Sequence, residues 1–251
     1  MLAKCIHDPR RSSSITHQTT ALLTQRIFQI ACGYEDGNDS NSLRKDPALK
    51  MALSLLPESD HDLASQPIFS RLENMITHQD LYRIAKCFVD HFLASFTEPP
   101  EVIVLDFDDT DDVVHGNQQL ALFNGYHQET CYQPLHVYEG FSGKLTTTIL
   151  RLGRRPGGKE IVSYVTRIVA RIRQQWRDTR IVYRGNSQYS VPKVFTYLEQ
   201  QTDCYSVTGL TSNNVLLKHV EITINHVQQQ ATGFKRYHAL ITRNRAGASL
   251  A

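Results

Sequence analysis

Apolar residues recur at helical spacing through the first part of the chain. Leu23, Ile27, Ile30 and Ala31 form one such stripe before Gly33, and Leu81, Ile84, Ala85, Phe88 and Phe92 form a second. Between them, residues 64–74 (ASQPIFSRLEN) place Ser65 where an N-cap belongs and Pro67 in the first turn, which predicts a short helix. Pro99 and Pro100 close this helical stretch. The pattern then changes period. Residues 102–108 (VIVLDFD) read as an apolar strand ending in acids, and residues 134–139 (PLHVYE) and 144–150 (KLTTTIL) as two more strands joined by a tight turn between Gly140 and Gly143. Residues 159–176 predict a helix with Ile161, Val165, Ile168, Ile172 and Trp176 on one face and Arg167, Arg171 and Arg173 on the rest. A fourth strand at 180–185 (RIVYRG), a helix at 192–201 and a fifth strand at 204–210 (CYSVTGL) follow.

Three strands, a helix, a strand, a helix and a strand is the element order of the ribonuclease H-like fold. An α/β core with a mixed five-stranded sheet is therefore expected over residues 100–210, preceded by a helical, DNA-binding domain over 1–99 and followed by a further region over 211–251. In that fold the first strand lies beside the fourth, so residues 106–112 and 185–187 should meet in space. The apolar stripes explain the framework, and the polar residues left over carry the chemistry.

Composition changes the picture only by exclusion. The chain has 251 residues, 41% apolar and 21% charged, which is the balance of a folded globular protein and not of a disordered one. No apolar run approaches the ~18 residues of a membrane span. The opening MLAKCIHDPRRSSS has basic residues without an apolar segment behind them, so a cytoplasmic protein with no membrane partner is expected. Cys5, Cys32, Cys87, Cys131 and Cys204 are odd in number and never spaced as CxxC, which predicts reduced, mostly buried thiols.

Charge distribution says more than the net charge of +2. Residues 101–112 hold six carboxylates (Glu101, Asp106, Asp108, Asp109, Asp111, Asp112) and no base, whereas residues 144–184 hold eleven bases against two acids. Acids gathered beside a long basic segment suit a divalent-metal site that works on a polyanion. Strand alternation puts Asp106 and Asp108 on one face with Phe107 pointing the other way. Two carboxylates held so can share Mg²⁺, and a pair of ions about 3.5–4 Å apart would drive an in-line phosphodiester displacement. The fourth strand should supply a further acid, yet its end carries Asn186, whose amide offers a hard cation one neutral oxygen.

The run LDFDDTDDVVHGNQQLALFNGYHQETCYQPLHVYEGFSGKLTTTILRLGRRPGGKEIV (105–162) resembles the catalytic domain of bacterial insertion-sequence transposases of the DDE type, specifically the family numbered thirteen-eighty. Upstream, QRIFQIACGYEDGNDSNSLRKDP and LASQPIFSRLEN resemble the N-terminal helical domain of the same family, and the likeness runs over residues 5–233. The resemblance implies a ribonuclease H-like core that cuts and joins transposon inverted-repeat ends with three acids and Mg²⁺ or Mn²⁺. It implies Asp108 as the first metal ligand, with Asp106 its neighbour. It puts the second acid at Asn186, where relatives carry aspartate, with histidine two places on where this chain has Gln188. The third acid of relatives, a glutamate on a helix beyond a β-rich insertion, is expected to be missing, because the likeness fades after Gly233 and the chain stops at Ala251. A truncated, mutated copy without strand-transfer activity is the expectation.

Two other readings use the same residues. LDFDDT also fits the opening motif of haloacid dehalogenase-like phosphatases, with Asp106 as nucleophile and Asp108 as acid and base. Alternatively the chain holds DNA without cutting it and interferes with an intact transposase, alone or as a homo-oligomer. Lys144, Arg154, Arg155, Lys159 and Arg184 are the candidate phosphate contacts, three of them flanking the Gly157-Gly158 loop at a helix N-terminus. The polar residues Gln66, Ser70 and Arg71 on the short helix offer a face to a DNA groove. Tyr126, Tyr132 and Tyr138 offer rings for base stacking.

Overall fold

The computed structural model describes residues 1–58, 61–116, 121–209, 214, 241–244 and 247–250. The chain divides into two compact units, Met1–Thr208 and Gly209–Ala251. Most of the 211–251 region lies outside the described residues. Within the second unit, strands β9 (Ile241–Asn244) and β10 (Gly247–Leu250) pair antiparallel. No helix among the described residues is long and apolar enough to cross a membrane.

The first unit opens with helices α1 (Thr19–Ala31), α2 (Asp39–Ser42), α3 (Pro47–Ala52), α4 (Gln66–Met75) and α5 (His78–Ala94). Their starts follow local chemistry. Asp46 accepts the Leu49 N–H at 2.8 Å ahead of Pro47, and Thr77 with Asp80 forms a capping box at the head of α5. Two expectations fail here. Ser65 occupies the N-cap position of α4 but its side chain makes no cap bond; the Asn41 side chain accepts the Gln66 N–H instead, at 3.1 Å. The Leu23, Ile27, Ile30 stripe does lie on a helix, but Ile27 and Ile30 are 52% and 49% exposed, and α1 turns Leu22, Gln25 and Gln29 inward. Gln25 can be buried because its amide both donates to the Ala64 carbonyl and accepts the Ala64 N–H, each at 3.0 Å.

The sheet that follows contains β1 (Val102–Asp109), β5 (Leu135–Glu139), β6 (Leu145–Ile149), β7 (Arg180–Gly185) and β8 (Cys204–Thr208), with α6 (Gly158–Gln175) and α7 (Pro192–Glu199) as crossovers. Its order is β6-β5-β1-β7-β8, with β6, β5 and β1 antiparallel and β7 and β8 parallel to β1. This is the ribonuclease H-like order. The sequence pattern missed one part of it: β2 (Asp112–Val113), β3 (Leu122–Asn124) and β4 (Glu129–Tyr132) form a separate small sheet between β1 and β5.

One face of the large sheet carries the core. Ile103, Leu105, Phe107, Leu135, Val137, Ile181 and Tyr183 pack against Val89, Phe92 and Leu93 of α5, the stripe of α6, and Val194 and Leu198 of α7. Trp176 lies edge-on to Phe92 and Phe96 at 5.7 and 5.2 Å. Arg173 ends α6 by donating to the carbonyls of Trp176, Arg177, Thr179 and Thr202. The other face of the sheet is open, with Tyr205 and Val207 51% and 45% exposed. All five cysteines are free, but only Cys87 and Cys131 are buried, and Cys32 is exposed. Burial, with the Cys5 thiol beside it, pushes the Cys87 thiol up to about 11.

The close approach that positions the small sheet is testable. A Cβ on Gly153 would lie 2.1 Å from the Cys131 carbonyl oxygen and 2.8 Å from that of Leu122. Gly153→Ala is expected to lower the unfolding free energy by roughly 1–3 kcal/mol in urea titrations. Gly125→Ala, where nothing lies within 4 Å, should change it by less than about 0.5 kcal/mol.

Candidate functional site

Parallel pairing sets Asp106 opposite Arg184 and Phe107 opposite Gly185, so the ends of β1 and β7 lie side by side as the sequence order required. Asp106 and Asp108 share the open face. Asp106 is fully engaged: both carboxylate oxygens accept from the Arg184 guanidinium, a two-pronged charge-assisted pair. That carboxylate raises the Arg184 pKa above its ordinary value against the opposing effect of burial. Asp108 is exposed, and its Oδ1 accepts from the Asn186 amide nitrogen at 3.4 Å and from the Asp109 N–H at 3.1 Å. Asp109 points to the other face beside Phe107. Its Oδ2 accepts from the Gln188 amide at 2.6 Å and lies 3.7 Å from Arg151, with its side chain only 8% exposed.

The turn after β7 holds the amides in place. Asn186 Oδ1 accepts the Gln188 N–H at 2.8 Å, and the Asn186 carbonyl accepts the Tyr189 N–H at 3.1 Å. Tyr189 is buried against Phe107, and its carbonyl accepts the Tyr183 hydroxyl at 2.9 Å. A Cβ on Gly185 would fall 2.7 Å from the Tyr189 Cβ, so only glycine lets the chain fold back here. Burial pushes both tyrosine hydroxyls far up.

Two further residues, Glu139 and Arg151, build the site, and the sequence pattern predicts a role for neither. Glu139 is buried and accepts from the Val104 and Ser142 N–H groups at 3.1 and 2.7 Å and from the Ser142 hydroxyl at 2.7 Å. Burial would raise its pKa, but these bonds outweigh burial and hold it below the usual range. Its inward position shares the parity of Leu135 and Val137, a signal the alternation carried. Arg151 is 1% exposed in its side chain and donates to Glu160, to the Gln133 carbonyl and to the Arg154 carbonyl. Nothing in the sequence pattern separated it from the surface bases around it.

The candidate DNA contacts fall into two groups. Lys144 donates to the Ser95 carbonyl and hydroxyl at 2.9 and 3.1 Å and lies over the Phe96 ring, and Arg184 is held by Asp106. Arg154, Arg155 and Lys159 are all exposed around the N-terminus of α6, the first two on a loop that Arg151 anchors through the Arg154 carbonyl. On α4, Phe69 and Leu72 face inward while Arg71 is exposed and Gln66 and Ser70 are half-buried. Tyr126 and Tyr138 are exposed, Tyr132 is half-buried, and His136 is paired with the Thr148 hydroxyl at 3.0 Å.

A family model described as transposase DDE domain group 1 matches residues 1–245. The chain belongs to this family. The transposase domain is similar at low level to solved transposase complexes. These include the piggyBac transposase synaptic complex with hairpin DNA (15% identity, TM-score 0.43, 84% of this chain and 47% of that one) and the Mos1 mariner paired end complex with Mn (10%, 0.31, 77% and 65%). The Drosophila P element transposase strand transfer complex is a third (11%, 0.29, 80% and 47%). The transposase domain thus spans about half the length of the piggyBac chain. No curated protein matches its sequence.

Membership implies a divalent cation, and the donor set can be tested against one. Asp106 is spent on Arg184, Asp108 meets an amide nitrogen, and no group of three or more His, Cys, Asp or Glu side chains among the described residues could hold a metal. The residues present do not fit Mg²⁺ or Mn²⁺. The phosphatase reading fails on the same contacts, since an attacking Asp106 would have to leave Arg184. The antiparallel β5 beside β1 also differs from the parallel sheet that reading needs.

Because the Glu139 carboxyl is held below its ordinary value, its contribution to stability is present above pH ~4.3 and is lost as pH falls through its lower folded value. Glu139→Gln is expected to cost about 1–3 kcal/mol at neutral pH and to flatten that acid limb. Thermal midpoints of both proteins between neutral and acid pH measure this.

Proposed function

We propose that this transposase domain holds transposon-end DNA but does not cut it, in an insertion-sequence protein of the thirteen-eighty group. The observation that carries the reading is the contact at the second-acid position: Asn186 turns an amide nitrogen, and not a carboxylate, toward Asp108. Active relatives would bind Mg²⁺ or Mn²⁺ between such acids, activating the attacking oxygen and stabilising the leaving one. Here the second carboxylate is absent and Asp106 is neutralised, so in-line displacement lacks its electrophilic support. Binding needs none of these acids, because phosphate contacts depend on Arg and Lys.

In this reading residues 1–99 contribute DNA contacts, residues 100–210 are the core, and 211–251 begin an inserted region. Arg154, Arg155 and Lys159 are the principal phosphate contacts, because they cluster at the surface and carry no ion pair among the described residues. Arg184 and Lys144 contribute less, since DNA would have to compete with Asp106 and Ser95. A protein that occupies the inverted repeats without cleaving them competes with an intact transposase, its natural partner in this role.

A gel-shift with inverted-repeat duplex at two salt concentrations, run beside a cleavage assay with Mg²⁺ or Mn²⁺, tests both halves. Binding that weakens steeply with salt and no cleavage is expected, and replacing Arg154, Arg155 and Lys159 by Gln should reduce the salt slope by about 0.9 for each phosphate no longer neutralised. Cleavage by the unaltered chain would overturn the inactive reading; absent or salt-independent binding would overturn the DNA-holding one.

A further inference from the structure

Backbone pairing of β1 with β7 ends at Phe107 and Gly185, but side-chain pairing does not. Arg184 donates to Asp106, Asn186 to Asp108 and Gln188 to Asp109, three successive rungs contributed by alternate residues of one segment. The amide orientations follow from their partners. If Asn186 were flipped, its nitrogen would face the Gln188 N–H, donor against donor, and its oxygen would face the Asp108 carboxylate; neither bond could form. The side-chain oxygen of Asn186 is thereby used within the turn, and Oδ1 of Asp108 is used by the amide.

We infer that Arg184, Asn186 and Gln188 form a clasp that stands in for a divalent cation, joining the ends of β1 and β7 through N–H donors so that the site closes without metal. The inference rests on the proposed function for the identity of the acid pocket, and it goes further by giving the two amides a positive role. A divalent ion between β1 and β7 would neutralise facing carboxylates and tie two strand ends together. The clasp ties the same strand ends but neutralises only one acid: the Arg184 guanidinium matches Asp106, the Gln188 amide donates to the shielded Asp109 with Arg151 3.7 Å away, and the neutral Asn186 amide donates to the exposed Asp108. Exchanging the Asn186 amide for a carboxylate would set two like charges against each other there, a repulsion that a cation between them would relieve.

Mn²⁺ alone is the probe, read by calorimetry and by thermal midpoint on the full chain. The unaltered protein is expected to show no saturable Mn²⁺ binding in the millimolar range and no midpoint shift with the metal or with EDTA. Asn186→Asp should lower the metal-free midpoint by about 2–4 °C, gain saturable Mn²⁺ binding and recover its midpoint with Mn²⁺; adding Asp108→Ala should remove that binding. Gln188→Ala, which adds no charge, should lower the midpoint by a similar amount and leave it insensitive to metal. Saturable Mn²⁺ binding by the unaltered chain that disappears with Asp108→Ala overturns the inference. So does an Asn186→Asp protein that takes up no Mn²⁺, or a Gln188→Ala protein as stable as its parent. None of these readouts involves DNA, so a failed gel-shift removes the DNA-holding function while leaving the clasp, and the converse also holds.

Discussion

Asp106 and Arg184 are 78 residues apart, yet they sit opposite each other because β7 runs parallel to β1. A parallel neighbour cannot be reached by a hairpin, so the chain must cross the sheet, and α6 makes that crossing. Its apolar stripe, Ile161, Val165, Ile168 and Ile172, is buried on the same sheet face as Ile103, Leu105 and Phe107. Alternation then leaves Asp106 and Asp108 on the uncovered face and turns Asp109 inward toward Arg151. The positions of Asp106, Asp108 and Asp109 thus follow from one strand pairing and the period of two along β1.

The basic segment looks different once its partners are known. Arg151 is buried, Arg171 pairs with Asp90, Arg173 closes the end of α6, and Arg167 lies over the Tyr82 ring. These cations are structural fasteners within a stretch whose charge alone suggests a uniform polyanion-binding surface. Arg154, Arg155 and Lys159 form an exposed group beside the Arg154 carbonyl that Arg151 holds, and Arg177 and Arg180 are exposed beyond the other end of α6. Fewer bases face outward unpaired than the net charge of the segment implies.

Legibility in the sequence divides along physical lines. Strands and helices that bury a continuous stripe, such as β1, β7 and α6, were readable nearly to their ends, because period and burial agree there. The acid positions were readable for the same reason. Helix α1 was readable as a helix but not in its orientation, since the paired amide bonds of Gln25 with Ala64 let a polar face go inward. The small sheet of β2, β3 and β4 was not readable, its strands being short, largely exposed and positioned by their approach to the Gly153 backbone. Arg151, Glu139 and the Asn186 and Gln188 bonds are long-range pairings of polar groups, for which hydrophobic periodicity carries no signal beyond the inward parity of Glu139.

The route through α6 also has a kinetic side. The hairpin of β5 and β6 closes across the Gly140–Gly143 turn, and β1 joins it through the small sheet, whereas β1 and β7 cannot pair until the intervening chain has been brought round. Loop-closure entropy and contact order favour the β5–β6 hairpin over that pairing as the earlier contact. The two strand ends that compose the acid site are joined only when the topology itself is completed.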